Sequence, residues 1–106
     1  MAVELLIKNR DTGASELVPV ATTEVFHQFW VKGCAQLDLR LVPRFEDGIT
    51  DFSPDEIRVV IDELRQLRSW FQQTQVPQNA KALGVRVDNT IRAFERVLAD
   101  SRLSIG

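Results

Sequence analysis

The stretch Phe52-Ser53-Pro54-Asp55-Glu56-Ile57 leaves little choice of local structure: it begins an α-helix. Ser53 can accept a backbone N–H three residues on while Glu56 reaches back to the N–H of Ser53, the reciprocal capping box. Pro54 takes the first helical position, where its missing N–H loses nothing. Phe52 and Ile57 stand where a hydrophobic staple closes over the cap. Beyond it Ile57, Val60, Ile61, Leu64, Leu67 and Phe71 recur every three or four residues to about residue 73, so one face of this helix is apolar throughout. Arg58 and Asp62 are spaced for an i, i+4 pair on the other side. Such a helix needs a partner surface, which the rest of the chain must supply.

Residues 2–20 read as a β-hairpin. Val3, Leu5 and Ile7 alternate with Glu4, Leu6 and Lys8, the pattern of a strand with one face buried. The run from Asn9 to Ser15 is built of turn formers, with Gly13 free to take positive φ. Glu16-Leu17-Val18-Pro19-Val20 makes a second strand, and Pro19 assigns it to a sheet edge because it has no ladder N–H. Thr22 or Thr23 then caps a helix running to about Leu37, whose stripe is Phe26, Phe29, Trp30, Gly33, Cys34 and Leu37. Gly33 within that stripe predicts close approach of another element.

Leu39, Leu41 and Phe45 alternate with Arg40, Val42 and Arg44, which predicts a third strand, with Pro43 again marking an edge. Two proline-bearing edges leave the first strand central. The expected fold is therefore a single α+β domain over residues 1–106: a small, mainly antiparallel three-stranded sheet of order 2-1-3, two to three helices on one face, in the sequence β-β-α-β-α-α. The polar run 72–79 ends the capped helix. Leu83, Val87, Ile91, Phe94 and Leu98 suit a last helix that includes 89–100, while 80–87 reads either as its beginning or as an extended link capped at Asp88.

Of the 106 residues 44% are hydrophobic and 26% charged, ordinary values for a globular chain with a core. Thirteen basic against fifteen acidic side chains leave a net charge of −2, which argues against a nucleic-acid or anionic-membrane surface. One cysteine precludes a disulfide framework, and no apolar run reaches the roughly eighteen residues of a spanning helix. The opening residues lack a basic stretch followed by a long apolar run, so a cytoplasmic location without a membrane role is expected.

Candidate chemistry is sparse. His27 is the only histidine, and the helical neighbours at positions 23, 24, 30 and 31 are Thr, Glu, Trp and Val, so no nucleophile or carboxylate for catalysis converges on it by spacing and Glu24 offers a local helix contact. Cys34 lies in an apolar stripe, where a thiol is an inert small hydrophobe. Glu46, Asp47 and Asp51 form the densest carboxylate run, without the alternating ligands of a calcium loop, and read as an acidic surface for a protein partner. No phosphate loop, paired-histidine motif or nucleophile elbow is present, so no catalytic residue, metal or cofactor is assigned.

Residues 79–96, with Ala80, Leu83-Gly84-Val85, Asn89, Ile91 and Phe94, resemble a bacterial helix-turn-helix. Val87 stands where the motif's turn takes a polar residue, and Ile91 falls one position late. The resemblance implies a second helix in the DNA major groove, with Asn89, Arg92 and Arg96 on bases and Arg86 on a phosphate.

The sheet face away from the helices offers Leu6 with Val18 and Val42 as an apolar centre among charges, a face suited to a homodimer. The function these readings favour is a small, non-enzymatic protein-binding or regulatory protein of the immunity or adaptor kind. The alternatives are DNA binding through 79–96, and a small-molecule-binding protein or enzyme centred on His27.

Overall fold

The computed structural model describes residues 2–47, 51–73 and 80–106. The hairpin forms as its residues dictate, β1 Ala2–Asn9 pairing antiparallel with β2 Ser15–Thr22. Asn9 Oδ1 accepts the N–H groups of Asp11 and Thr12 at 2.9 and 3.2 Å, and Gly13 takes φ +71°, so side-chain capping and left-handed backbone together close the turn. Leu5 faces Val18, but the register slips between Val3 and Glu4, leaving Val20 as the extra residue of a β-bulge. Val18 and Val20 are both buried, and the bulge lets Ala21, set against Val3, also pack on the core.

Thr22 caps the next helix, its Oγ1 accepting the N–H of Val25 at 3.1 Å. The helix runs as α1 Thr23–Val25, a π-helical stretch Phe26–Val31, and α2 Lys32–Leu37. It ends at Asp38, whose left-handed φ of 57° turns the chain. The π stretch explains why Phe29, expected to be mostly buried with the rest of its stripe, is only half-buried: a wider turn rotates the stripe, keeping Phe26 and Trp30 inward and carrying Phe29 to the margin. Gly33 is the close-approach point. A Cβ there would stand 2.5 Å from Leu67 Cδ1 and 2.9 Å from Trp70 Cε3 of the next long helix.

That helix, α3 Pro54–Gln73, starts on the predicted capping box: Ser53 N–H donates to Glu56 Oε1 at 2.9 Å and Glu56 N–H to Ser53 Oγ at 3.2 Å. Its apolar face is buried as the spacing requires, but Arg58 pairs with Asp55 at 3.1 Å, and Asp62 instead accepts from Gln66. Helix α4 Ala80–Ala99 is continuous, burying Leu83, Val87, Ile91, Phe94 and Val97. Two aromatic groups fill the core between layers: Phe26, Trp30 and Phe71, and Phe45 stacked on Phe94 at 5.6 Å with Phe52 edge-on.

A three-stranded antiparallel sheet with β1 at its centre and helices packed against it is the α+β architecture expected, but its third strand comes from elsewhere. Residues 39–45 are not a strand; Val42–Asp47 form a 3-10 helix, and β3 is Leu103–Ile105 at the end of the chain. Ile7 pairs with Ile105 and Lys8 with Ser104. Leu6 and Gly106 exchange two backbone hydrogen bonds at 2.9 and 3.1 Å. The misleading feature is the spacing itself. Leu39, Val42 and Phe45 are the buried residues, every third one, which suits a turn of about three residues. The carboxylate of Glu63, buried on α3, accepts the N–H of Leu41 at 3.0 Å and of Val42 at 3.1 Å, occupying donors that a strand would have given to its neighbour.

Candidate functional site

On the sheet face opposite the helices, β1 presents Glu4 and Lys8 to solvent with Leu6 half-buried between them. The register sets Leu6 directly against Leu17, Glu4 against Pro19 and Lys8 against Ser15. Leu17 is 63% exposed, the most exposed large hydrophobic side chain among the described residues. An apolar pair thus sits at the centre of a face rimmed by a carboxylate and an ammonium. The expected companions of Leu6 are corrected: Val18 is 9% exposed on the core side of β2, and Val42 is wholly buried in the 3-10 helix. Leu17 takes their place. In Glu16-Leu17-Val18-Pro19-Val20 both phases of the alternation are apolar, so the pattern alone does not decide which phase faces out. Glu16, on the helix side at the strand edge, is held by the guanidinium of Arg96, which keeps its carboxyl below the usual range.

The acidic run divides. Glu46, at the end of the 3-10 helix, hydrogen-bonds His27 Nε2 across nineteen residues of chain, whereas Asp47 and Asp51 are exposed. The stretch 48–50 between them lies outside the described residues. The pairing of His27 with Glu46 replaces the local contact to Glu24, and Glu46 is the only hydrogen-bond partner of His27 among the described residues. The side chains are 56% and 38% exposed, so this is a solvated surface pair. No cluster of three or more His, Cys, Asp or Glu side chains placed to hold a metal ion occurs among the described residues. Cys34 is buried and its thiol is pushed up to about 12, first by desolvation and then by the nearby Glu63 carboxylate.

Among the described residues, 80–96 form no helix-turn-helix. Residues that would form its turn lie inside the unbroken α4, and the residues proposed as readers lie along one helix beside the sheet. Arg96 is tied to Glu16 and Arg92 lies 3.5 Å from Asn89 Oδ1, the four bordering a shallow groove against β2. Arg86, exposed one turn earlier, lies at a different opening near the start of β1. A helix-turn-helix reader needs two helices crossing steeply about a short turn, with the second helix's N-terminus free to enter the groove. Val85 and Val87 continue the helix instead, and Val87 is fully buried. Among the described residues no helix is long and apolar enough to cross a membrane.

Two functional-looking groups escape sequence reasoning. Glu63 lies on the apolar side of α3, where its spacing next to Leu64 gives no sign that two distant N–H groups await it. Trp30 was expected in the core, but its indole Nε1 is buried without a hydrogen-bond partner among the described residues, which no periodicity reveals. Comparison with known protein families, with curated proteins and with solved structures finds no match for this chain.

Proposed function

We propose that the chain is a small, non-enzymatic regulatory protein of the adaptor or immunity kind, acting by protein–protein contact through the outer face of its sheet. A second copy of the chain is the simplest occupant. The observation that carries this reading is the registration of Leu17, 63% exposed, against Leu6 on a face that the helices leave uncovered. Glu4 and Lys8 on the same strand give that face opposite charges, so a two-fold arrangement can set each glutamate near the partner's lysine. Strand-to-strand pairing at the β2 edge is blunted by Pro19, which favours face-to-face contact. Solvated pairing of His27 with Glu46 supports no catalytic reading.

Sedimentation at micromolar concentration tests the proposal. Wild type should run at twice 12.1 kDa, and Leu17→Glu, on a surface position that leaves the core intact, should run as a monomer. A wild-type monomer refutes the homodimer, and a dimer that survives both Leu17→Glu and Leu6→Glu refutes the face.

A further inference from the structure

The outward side of the sheet is arranged in levels, and the strand register fixes them. Along β1 the outward positions are Glu4, Leu6 and Lys8, each about 7 Å from the next. On β2 they stand level with Pro19, Leu17 and Ser15. Arg10 continues the series. Its N–H is given to the carbonyl of Arg102 on the β3 side, as that of Leu6 is given to Gly106, so the two residues share one phase of the pleat. The face therefore runs from a carboxylate level at Glu4, through the Leu6–Leu17 level, to successive cationic levels at Lys8 and Arg10. All three charged residues are exposed, and none forms an ion pair among the described residues.

Two copies pressed face to face about a two-fold axis in the interface can meet in two ways. With the axis along the strands, each level meets the same level of the partner. Both Glu4 carboxylates then gather at one end, and Lys8 and Arg10 of both copies crowd the other. With the axis across the strands, along the Leu6–Leu17 row, strand direction reverses and levels equally far from that row are exchanged. Glu4 then stands over the partner's Lys8, the leucine level meets itself, and the Arg10 levels lie at opposite ends. The tilt of about 30° usual between packed sheets does not interchange these levels. Like charges juxtaposed across an interface cost more than a solvated pair gains, so repulsion decides against the first arrangement.

We propose that two copies of the chain stack with their β1 strands antiparallel, about a two-fold axis along the Leu6–Leu17 row, each Glu4 meeting the partner's Lys8. This orientation rests on the outer-face dimer proposed above and adds what that reading leaves open: which end of one sheet lies over which end of the other. The helices of both copies lie outermost, and the two Asn9–Ser15 turns point to opposite ends of the dimer.

Sedimentation of the full chain and its variants supplies the test. Glu4→Ala and Lys8→Ala should each weaken dimerisation about tenfold, because by symmetry either change removes two cross-interface pairs. Lys8→Glu should weaken it further, and Glu4→Lys combined with Lys8→Glu should return association to within about threefold of wild type. In the opposite orientation the signs reverse, and either alanine variant binds more tightly because repulsion is relieved. Cross-linking gives a reading that leaves the charges untouched. Copies carrying Ser15→Cys and copies carrying Pro19→Cys, both exposed positions, should be joined to each other by a short bismaleimide and neither kind to itself. Cys34 is buried and stays out of that reaction. A wild-type monomer overturns the outer-face reading and this orientation together. A dimer that the alanine variants leave unweakened, that the double exchange does not restore, or that cross-links Ser15→Cys to itself overturns the orientation and leaves the face standing.

Discussion

Replacing Glu63 should show how one buried carboxylate decides the conformation of a distant segment. Its Oε1 accepts from Leu41 and Val42 at 3.0 and 3.1 Å, and Oε2 accepts from Leu41 at 3.3 Å. The Glu63 residue is 6% exposed and Val42 is wholly buried, so water cannot readily take over these bonds. Glu63→Ala strands two backbone donors at about 1–3 kcal/mol each, and removal of the desolvated charge returns part of that. The net loss expected is about 3 kcal/mol, a large share of the roughly 5–15 kcal/mol that holds a domain together. Glu63→Gln can keep its carbonyl at the Oε1 position, retaining the two shorter bonds, and turns only an N–H towards Leu41. Its loss should be about 1 kcal/mol. Urea unfolding followed by tryptophan fluorescence measures both. An alanine variant within half a kcal/mol of wild type, in rough terms, or a glutamine variant as unstable as alanine, would refute the role given to Glu63.

Gly33→Ala should destabilise by about 1–2 kcal/mol, because the close contacts with Leu67 and Trp70 outweigh the helix-propensity gain, whereas Gly84→Ala, with no atom within 4 Å of its added Cβ, should stabilise by about 0.5–1 kcal/mol in the same urea assay. Leu64→Ala, at a fully buried position, should cost about 2–5 kcal/mol, and Phe29→Ala at the margin of its helix clearly less. The Glu56 carboxyl is held below its ordinary value by the Ser53 N–H and then by the Arg44 guanidinium; the stability it contributes is present above the ordinary carboxylate pKa, about 4.3, and lost as pH falls through the lowered folded value. Acid titration of Glu56→Gln should therefore show a shallower decline than wild type over that range. Cys34 should resist an aromatic disulfide reagent at neutral pH in the folded protein and react promptly in urea, since its thiol is both buried and raised to about 12.

What could be read from residue order alone shares a physical basis: each signal acts on backbone within a few positions of itself. Asn9 and Gly13 close the hairpin on their own neighbours, Thr22 caps three residues ahead, and Ser53 with Glu56 writes the start of α3. The stripe from Ile57 to Phe71 needs only helical geometry to define its buried face. The fold class followed from these, because a hairpin and amphipathic helices can bury their apolar faces only against each other. For the candidate site, the sequence placed Leu6 on the outward face but not Leu17, since both phases of β2 are apolar and only pairing with β1 selects one.

Tertiary structure decided whatever depends on groups far apart in the chain. The strand beside β1 could have come from 39–45 by alternation, yet a three-residue segment at the far end takes the place, because Glu63 and the every-third spacing of Leu39, Val42 and Phe45 favour a tight helix in the earlier stretch. Segment 80–87 became helix because Leu83 and Val87 are buried in the shared core, which outweighs the local invitation to turn at Asp88. That aspartate instead accepts from Arg68 of α3. The same long-range assembly joined His27 to Glu46 and set Trp30, Val20 and Arg86 around one cavity. Local chemistry thus determined which elements form and which faces they bury. The choice among competing partners for those faces belongs to packing, where burial of apolar surface and the matching of buried donors are settled over the whole chain at once.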